Sequence, residues 1–262
     1  AGSGIGRALA RRCAEEGMRV ALADVQPGRV ESATAELEDL GAEVLGCVLD
    51  VADESAFQAF GRQCLDEMGS PDLLFNNAGI LRLGQAWSHS ADDWQRLFGV
   101  NVMGVVNGLS TFVPAMLEAG RPSHIVNTGS VGSLVAAPGM AQYTAAKMAV
   151  RGITETLAYD LAAAEAPIGV SLLCPGPVLT SISDDLMGIE SGSEERAPGD
   201  HLMAGQPGFI TADECASRVF EGLHDGRFWI FTHPFNHYLE EKNHAITAGK
   251  NPEYREVVFD AD

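Results

Sequence analysis

Along this chain, short apolar runs alternate with longer stretches in which apolar positions recur every three or four residues. The first kind suits strands buried on both faces, and the second suits amphipathic helices. Strands are expected at 18–23, 43–49, 73–75, 124–128, 168–173 and 228–231. Helices are expected at 7–16, 30–40, 54–68, 92–118, 140–164 and 211–222, with a polar helical tail from Asn236. The punctuation agrees: Gly17 closes the first helix, and Thr211 or Asp213 can cap the one near the end. Strands and helices alternating in this rhythm mean a parallel sheet covered on both faces, with ligands outside the carboxyl ends of its strands. The chain reads as one α/β domain over 1–262, with the polar, Gly- and Ser-rich stretch at about 181–210 as a binding loop.

Composition narrows the function classes. A hydrophobic fraction of 46% over 262 residues supports a sizeable core, and no apolar run is expected to reach the length of a membrane span. The five cysteines (Cys13, Cys47, Cys64, Cys174, Cys215) are odd in number and unpatterned, as in a reduced cytoplasmic protein. The formal charge of −19 argues against nucleic acid, against an anionic membrane surface and against a tightly docked acidic carrier protein.

Candidate chemistry begins at Tyr143 and Lys147, four residues apart on an expected helix and therefore on one face. A free phenol, with a pKa of about 10, is a poor acid–base catalyst at neutral pH; an adjacent ammonium is expected to lower it. Taken alone, such a pair reads better as a packed Tyr and a solvated Lys. At the start, Ser3-Gly4-Ile5-Gly6 feeds the first helix, and Asp24 ends the next strand 20 residues after Gly4. Glycines let a dinucleotide approach the backbone, the helix N-terminus attracts pyrophosphate, and Asp24 can accept from the adenosine ribose hydroxyls. Its carboxylate would repel a 2′-phosphate, and neither the loop nor Val25-Gln26 offers a cation, so NAD is favoured over NADP. Asp50-Val51 and Asn76-Asn77-Ala78-Gly79 also fall at strand ends. Asn101 inside a long helix is either solvent-facing or marks a locally opened turn. Ser130, 13 residues before Tyr143, is either a turn former or a second hydroxyl for the site. His233, His237 and His244 lack a convincing third ligand spacing, so no metal is expected. Trp87, Trp94 and Met140 are candidate pocket residues, with Trp94 expected to pack and Gly84–Ser90 as an opposite rim. Leu134, Val135, Met140, Leu186, Met187 and Met203 suggest a fairly apolar substrate.

Taken in order, these pieces resemble the short-chain dehydrogenases/reductases over the whole chain. Gly4-Ile5-Gly6 is similar to the end of that family's Thr-Gly-x-x-x-Gly-x-Gly loop, whose Thr-Gly would lie just before Ala1. The resemblance implies a single-domain Rossmann fold with a mostly parallel seven-stranded sheet, its first strand absent from the sequence shown. A central sheet position would then be empty, and residues 1–262 are not expected to fold without it. It also implies a catalytic set of Asn101, Ser130, Tyr143 and Lys147. Tyr143 would pass the proton, Lys147 would bind the nicotinamide ribose, Ser130 would hold the substrate oxygen, and Asn101 would position a water. Substrate would touch Ser130, Met140 and Tyr143. Cofactor would touch Ser3, Gly4, Ile5, Gly6, Asp24, Asp50, Val51, Asn77, Ala78, Gly79, Tyr143, Lys147, Pro175, Gly176, Val178 and Thr180. The function implied is NAD-dependent interconversion of a secondary alcohol and a ketone by a homodimer or homotetramer. A 3-oxoacyl-thioester reductase and a non-catalytic nucleotide-binding regulator are the alternatives.

Overall fold

The computed structural model describes residues 1–182, 197–255 and 257–259. Helix α1 (Gly4–Glu15) leads to β1 (Val20–Asp24), α2 (Pro27–Asp39), β2 (Val44–Val48), α3 (Glu54–Met68) and β3 (Leu73–Asn76). Then come α4 (Ala91–Phe98), a π turn (Gly99–Met103), α5 (Gly104–Ala119), β4 (Ser123–Thr128), α6 (Ala141–Ala163) and β5 (Ile168–Cys174). Helix α7 (Ala212–His224), β6 (Trp229–Phe231) and α8 (Asn236–Thr247) follow. The starts are fixed by side chains that meet otherwise unpaired amides. Asp53 accepts from Ala56 N, and Ser90 with Asp93, and Thr211 with Glu214, form reciprocal capping boxes.

All strand pairings are parallel, as the alternation of elements requires. Strands β3-β4-β5-β6 form one ladder, and β1-β2 form another. The expected single sheet is thus observed as two sets with no ladder between β1 and β3 among the described residues. Ala1 lies between their carboxyl ends: its nitrogen donates to Ala23 O, and its Cα sits beside Gly6, which faces the Asn77 amide. One apolar cluster nevertheless spans both sets, joining Leu22 of β1 to Val126 of β4 and Leu173 of β5. Each such fully buried side chain contributes roughly 1.5–3 kcal/mol of burial.

The continuous helical run Ala91–Ala119 is long and apolar enough to cross a membrane by length and composition, contrary to the expectation from the sequence. In the fold it behaves as a core helix, packing on α3, α6 and β3. It approaches β3 closely through Gly108, where an added Cβ would lie 2.0 Å from Asn76 Oδ1. Asn76 cannot yield there, because its Nδ2 donates to Asn127 Oδ1 (2.8 Å), Asn127 donates to Thr154 (3.0 Å), and all three are buried. This polar thread fixes β3, β4 and α6 relative to one another. It sets the floor of the site.

Candidate active site

Helix α6 presents Tyr143 and Lys147 one turn apart at its N-terminal end. Lys147 is 3% exposed, and its ammonium donates to Thr128 O at 2.7 Å from the end of β4. Thr128 in turn donates its hydroxyl to Asn77 Oδ1 (3.0 Å), so one residue ties the lysine to the β3 loop. The Lys147 nitrogen stands 5.7 Å from the Tyr143 ring centre. Ser130 stands beside the Tyr143 ring, the two lying 3.5 and 3.4 Å from where a Cβ on Gly132 would stand, and Ser130 Oγ accepts from Gly132 N at 3.0 Å. Gly132 leaves room for the Tyr143 ring, which a Cβ there would meet at 3.4 Å. Tyr143, Ser130 and Lys147 are therefore brought together. Asn101, wholly buried in the π turn, lies close by: the space above Gly79 is bounded at 3.6 Å by both Asn101 Oδ1 and Lys147 Nζ.

One expectation about this group is revised. Burial pushes the Tyr143 phenol up, and the neighbouring Ser130 hydroxyl only partly offsets it. Burial also pushes Lys147 down to about 8, and it is burial rather than the lysine that governs the phenol. Asn101 does sit in a locally opened helix, where Gly104 N bonds to Gly99 O in the i to i+5 pattern. Its carboxamide, however, is committed to Ile80, accepting from Ile80 N (2.8 Å) and donating to Ile80 O (2.9 Å). A water role for Asn101 would fall to its backbone.

The glycine-rich loop crosses the carboxyl ends of β1 and β3. Asp24 accepts from Gly2 N (2.9 Å) and Gln26 N (3.0 Å), which holds its carboxylate at the strand end. Gly4, with φ +53°, opens α1 and packs against Thr180, 3.0 Å from where a Cβ would stand. Ser3 and Gly2 bring a surprise: Arg29 donates to Ser3 Oγ at 3.2 Å and covers Gly2. A cation does therefore attend this loop, and the preference for NAD rests on Asp24 alone. Asp50 accepts from Ala52 N, and Val51 is gripped through its carbonyl by Asn107 (2.8 Å) and packed under Gly104. Pro175 O accepts from Val131 N (3.0 Å), which ties the segment after β5 to the Ser130 turn. Gly176, Val178 and Thr180 follow, the last two buried.

At the pocket, Met140 caps α6 and bridges Gly84, so the expected rim does meet it. Trp94 packs on Phe98, whereas Trp87 is 81% exposed. Leu134 belongs to the core with Val150, Leu172 and Phe235, with Val135 against it, so the two are poor evidence for an apolar pocket. Leu186 and Met187 lie outside the described residues; Met203 is half-buried. Among the described residues no cluster of metal ligands occurs and the five cysteines are free. Thr128, Gly132, Asn107 and Arg29 were not singled out in the sequence. Their roles depend on contacts between distant segments, and no local pattern announces them.

A family model described as short chain dehydrogenase matches residues 1–188. A 1-deoxy-11-beta-hydroxypentalenate dehydrogenase of Streptomyces avermitilis is 36% identical over 88% of this chain and 82% of that protein. A CLA biosynthesis dehydrogenase/reductase of Lactiplantibacillus plantarum is 30% identical over 97% of this chain and 93% of that protein. Among solved structures, a short chain dehydrogenase/reductase from Burkholderia phymatum in complex with NAD is 38% identical. It superposes with a TM-score of 0.88 over 98% of this chain and 95% of that one.

Proposed function

We propose, from the premise that this chain belongs to the short-chain dehydrogenase family, that it oxidises a secondary alcohol or reduces the matching ketone with NAD(H). The observation that carries this reading is the group at the head of α6: a phenol beside the Ser130 hydroxyl with a buried lysine one turn below. The residues at the strand ends fit the cofactor. Gly2, Gly4 and Gly6 lie where any Cβ would collide with Arg29, Thr180 or Asn77, and Asp24 is held facing the loop. When bound, NAD would supply or accept the hydride. The NAD-bound relative from Burkholderia phymatum supports that choice.

Within this reading the protein's own groups handle the proton and the oxygen. Tyr143 Oη takes the alcohol proton in oxidation and returns it in reduction. Ser130 Oγ donates to the substrate oxygen as alkoxide charge develops. Lys147 is positioned by Thr128 to meet the nicotinamide ribose, while Asp24, Asp50, Val51, Asn77–Gly79 and 175–180 line the rest of the cofactor. Asn101 holds Ile80 and so shapes the wall beside Lys147. Met140 faces the substrate.

The test follows nicotinamide absorbance with NAD⁺ or NADP⁺ over a panel of secondary alcohols, with Tyr143→Phe in parallel. Turnover with NAD⁺ should fall by about 10²–10⁴-fold in the variant while NADH still binds. Binding without turnover by the wild type across the panel would instead favour a regulator.

A further inference from the structure

We infer that His233 is a positioning residue that clamps the 175–180 segment onto the turn at Gly208, so that cofactor grip and the root of the 181–210 loop are set together. The inference rests on the reading that 175–180 holds the nicotinamide end of the cofactor.

The starting point is a histidine that is 5% exposed and belongs to no cluster of metal ligands among the described residues. It follows β6 directly, and both ring nitrogens are engaged. Nδ1 lies 2.7 Å from Thr232 Oγ1, and Nε2 lies 2.9 Å from Gly208 O. Thr232, fully buried, also accepts from Gly176 N at 3.0 Å. The two ends of this chain of contacts have fixed polarity, because a backbone N–H can only donate and a carbonyl can only accept. Because the Gly208 carbonyl can only accept, Nε2 carries a proton and donates to it, while the Thr232 hydroxyl, already accepting from Gly176, closes the contact with Nδ1.

The surroundings make the arrangement specific. A Cβ on residue 176 would lie 2.6 Å from His233 Nδ1, so only glycine lets the ring approach that segment. Gly208 has φ +78°, and a Cβ there would lie 2.3 Å from Phe259 O. The Phe259 ring meets the imidazole edge-on at 5.1 Å, so the C-terminal segment covers the clamp. Beside it the two strands of the clamp also pair directly, Leu179 N to Ile210 O (2.9 Å) and Ile210 N to Pro177 O (3.2 Å). A shift of Gly208 is therefore carried through one ring and one hydroxyl to the Gly176 amide.

The experiment compares wild type with His233→Phe, His233→Gln and Thr232→Val, using Thr232→Ser as the conservative control. NADH affinity is read by fluorescence, kcat and cofactor KM by turnover, and the His233 ring protonation by nitrogen NMR. Expected is a proton on Nε2 in wild type, Thr232→Ser and Thr232→Val alike, since the Gly208 carbonyl alone requires it. NADH should bind about tenfold more weakly to His233→Phe and Thr232→Val, from hydrogen bonds worth about 1 kcal/mol each. His233→Gln, which keeps the reach to Gly208, should fall between. Cofactor KM should rise while kcat stays within about twofold, a split that loss of folded protein does not produce. If His233→Phe does not fold, the two Thr232 variants carry the comparison. NADH affinity unchanged in Thr232→Val, or an unprotonated Nε2 in wild type, overturns the inference. Failure of the wild type to bind NADH overturns the proposed function instead, and the Nε2 proton still decides the clamp.

Discussion

Lys147 keeps its ammonium where water does not reach, and that has a consequence for stability. Its ordinary value of 10.5 falls to about 8 in the fold because burial disfavours the charged form. Between those values the unfolded chain holds the proton and the folded chain does not, so this residue adds stability as pH rises through the window. The buried thiols of Cys13, Cys64, Cys174 and Cys215, pushed up to about 12, act with the opposite sign from about pH 9. Urea unfolding of wild type and Lys147→Met at several pH values isolates the lysine, since both forms share the thiols. The stability difference should move in favour of wild type from about pH 8 upward; a flat difference would show an unperturbed lysine. At this scale the sequence told the residue types and their spacing. It could not tell the direction of the shifts. Tyr143 and Lys147 sit one turn apart as their spacing implies, but the sign of each pKa change follows from enclosure by β4, the Ser130 turn and Gly79, segments far away in the chain. Arg29, absent from the local reading of the glycine loop, arrives there from the next helix for the same reason.

Among the elements, the long helix from Ala91 to Ala119 is where packing decides most. Gly108 touches the Asn76 carboxamide, and Asn76 is held in turn by Asn127. Gly108→Ala should therefore cost about 1–3 kcal/mol, the range for overpacking a site that cannot relax. Thermal unfolding should show the melting temperature down by several degrees, and an unchanged value would mean that Asn76 can move aside. The boundaries of most elements were readable from the sequence: α3 matches the expected 54–68, and α6 differs from its expected limits by one residue at each end. Punctuation explains part of this success, since Gly17, at φ +78°, follows the end of α1 and Thr211 caps α7 by local chemistry. The membrane-span expectation went wrong because a long apolar helix has the same composition whether it lies in lipid or against α3, α6 and β3.

For the whole molecule, charge and exposed apolar groups pull in opposite directions. Met103, Leu117, Met148 and Tyr159 stand exposed on the π turn, α5 and α6, which favours pairing of copies through these helices. A formal charge of −19 on each copy opposes it. Sedimentation should find a dimer or tetramer whose share grows with added salt, as screening shortens the range of repulsion. A monomer at every ionic strength would remove the assembly from the account. The charge was legible from composition alone, and the exposed positions needed the fold.

The π turn at Gly99–Met103 can be viewed as a phase adjuster. A helix advances about 100° per residue, so one residue too many inside a single rod rotates everything after it against everything before. Here the rod must satisfy two partners at once, with α4 seated on α6 and α5 on α3 and β3. Deleting Val100 should restore a regular spiral and turn one half of the rod out of alignment with its partner. Circular dichroism would then report undiminished helix while nicotinamide turnover disappears. Retained turnover would show that the two halves can slip past their seats. The extra residue matters for arithmetic that none of its atoms performs.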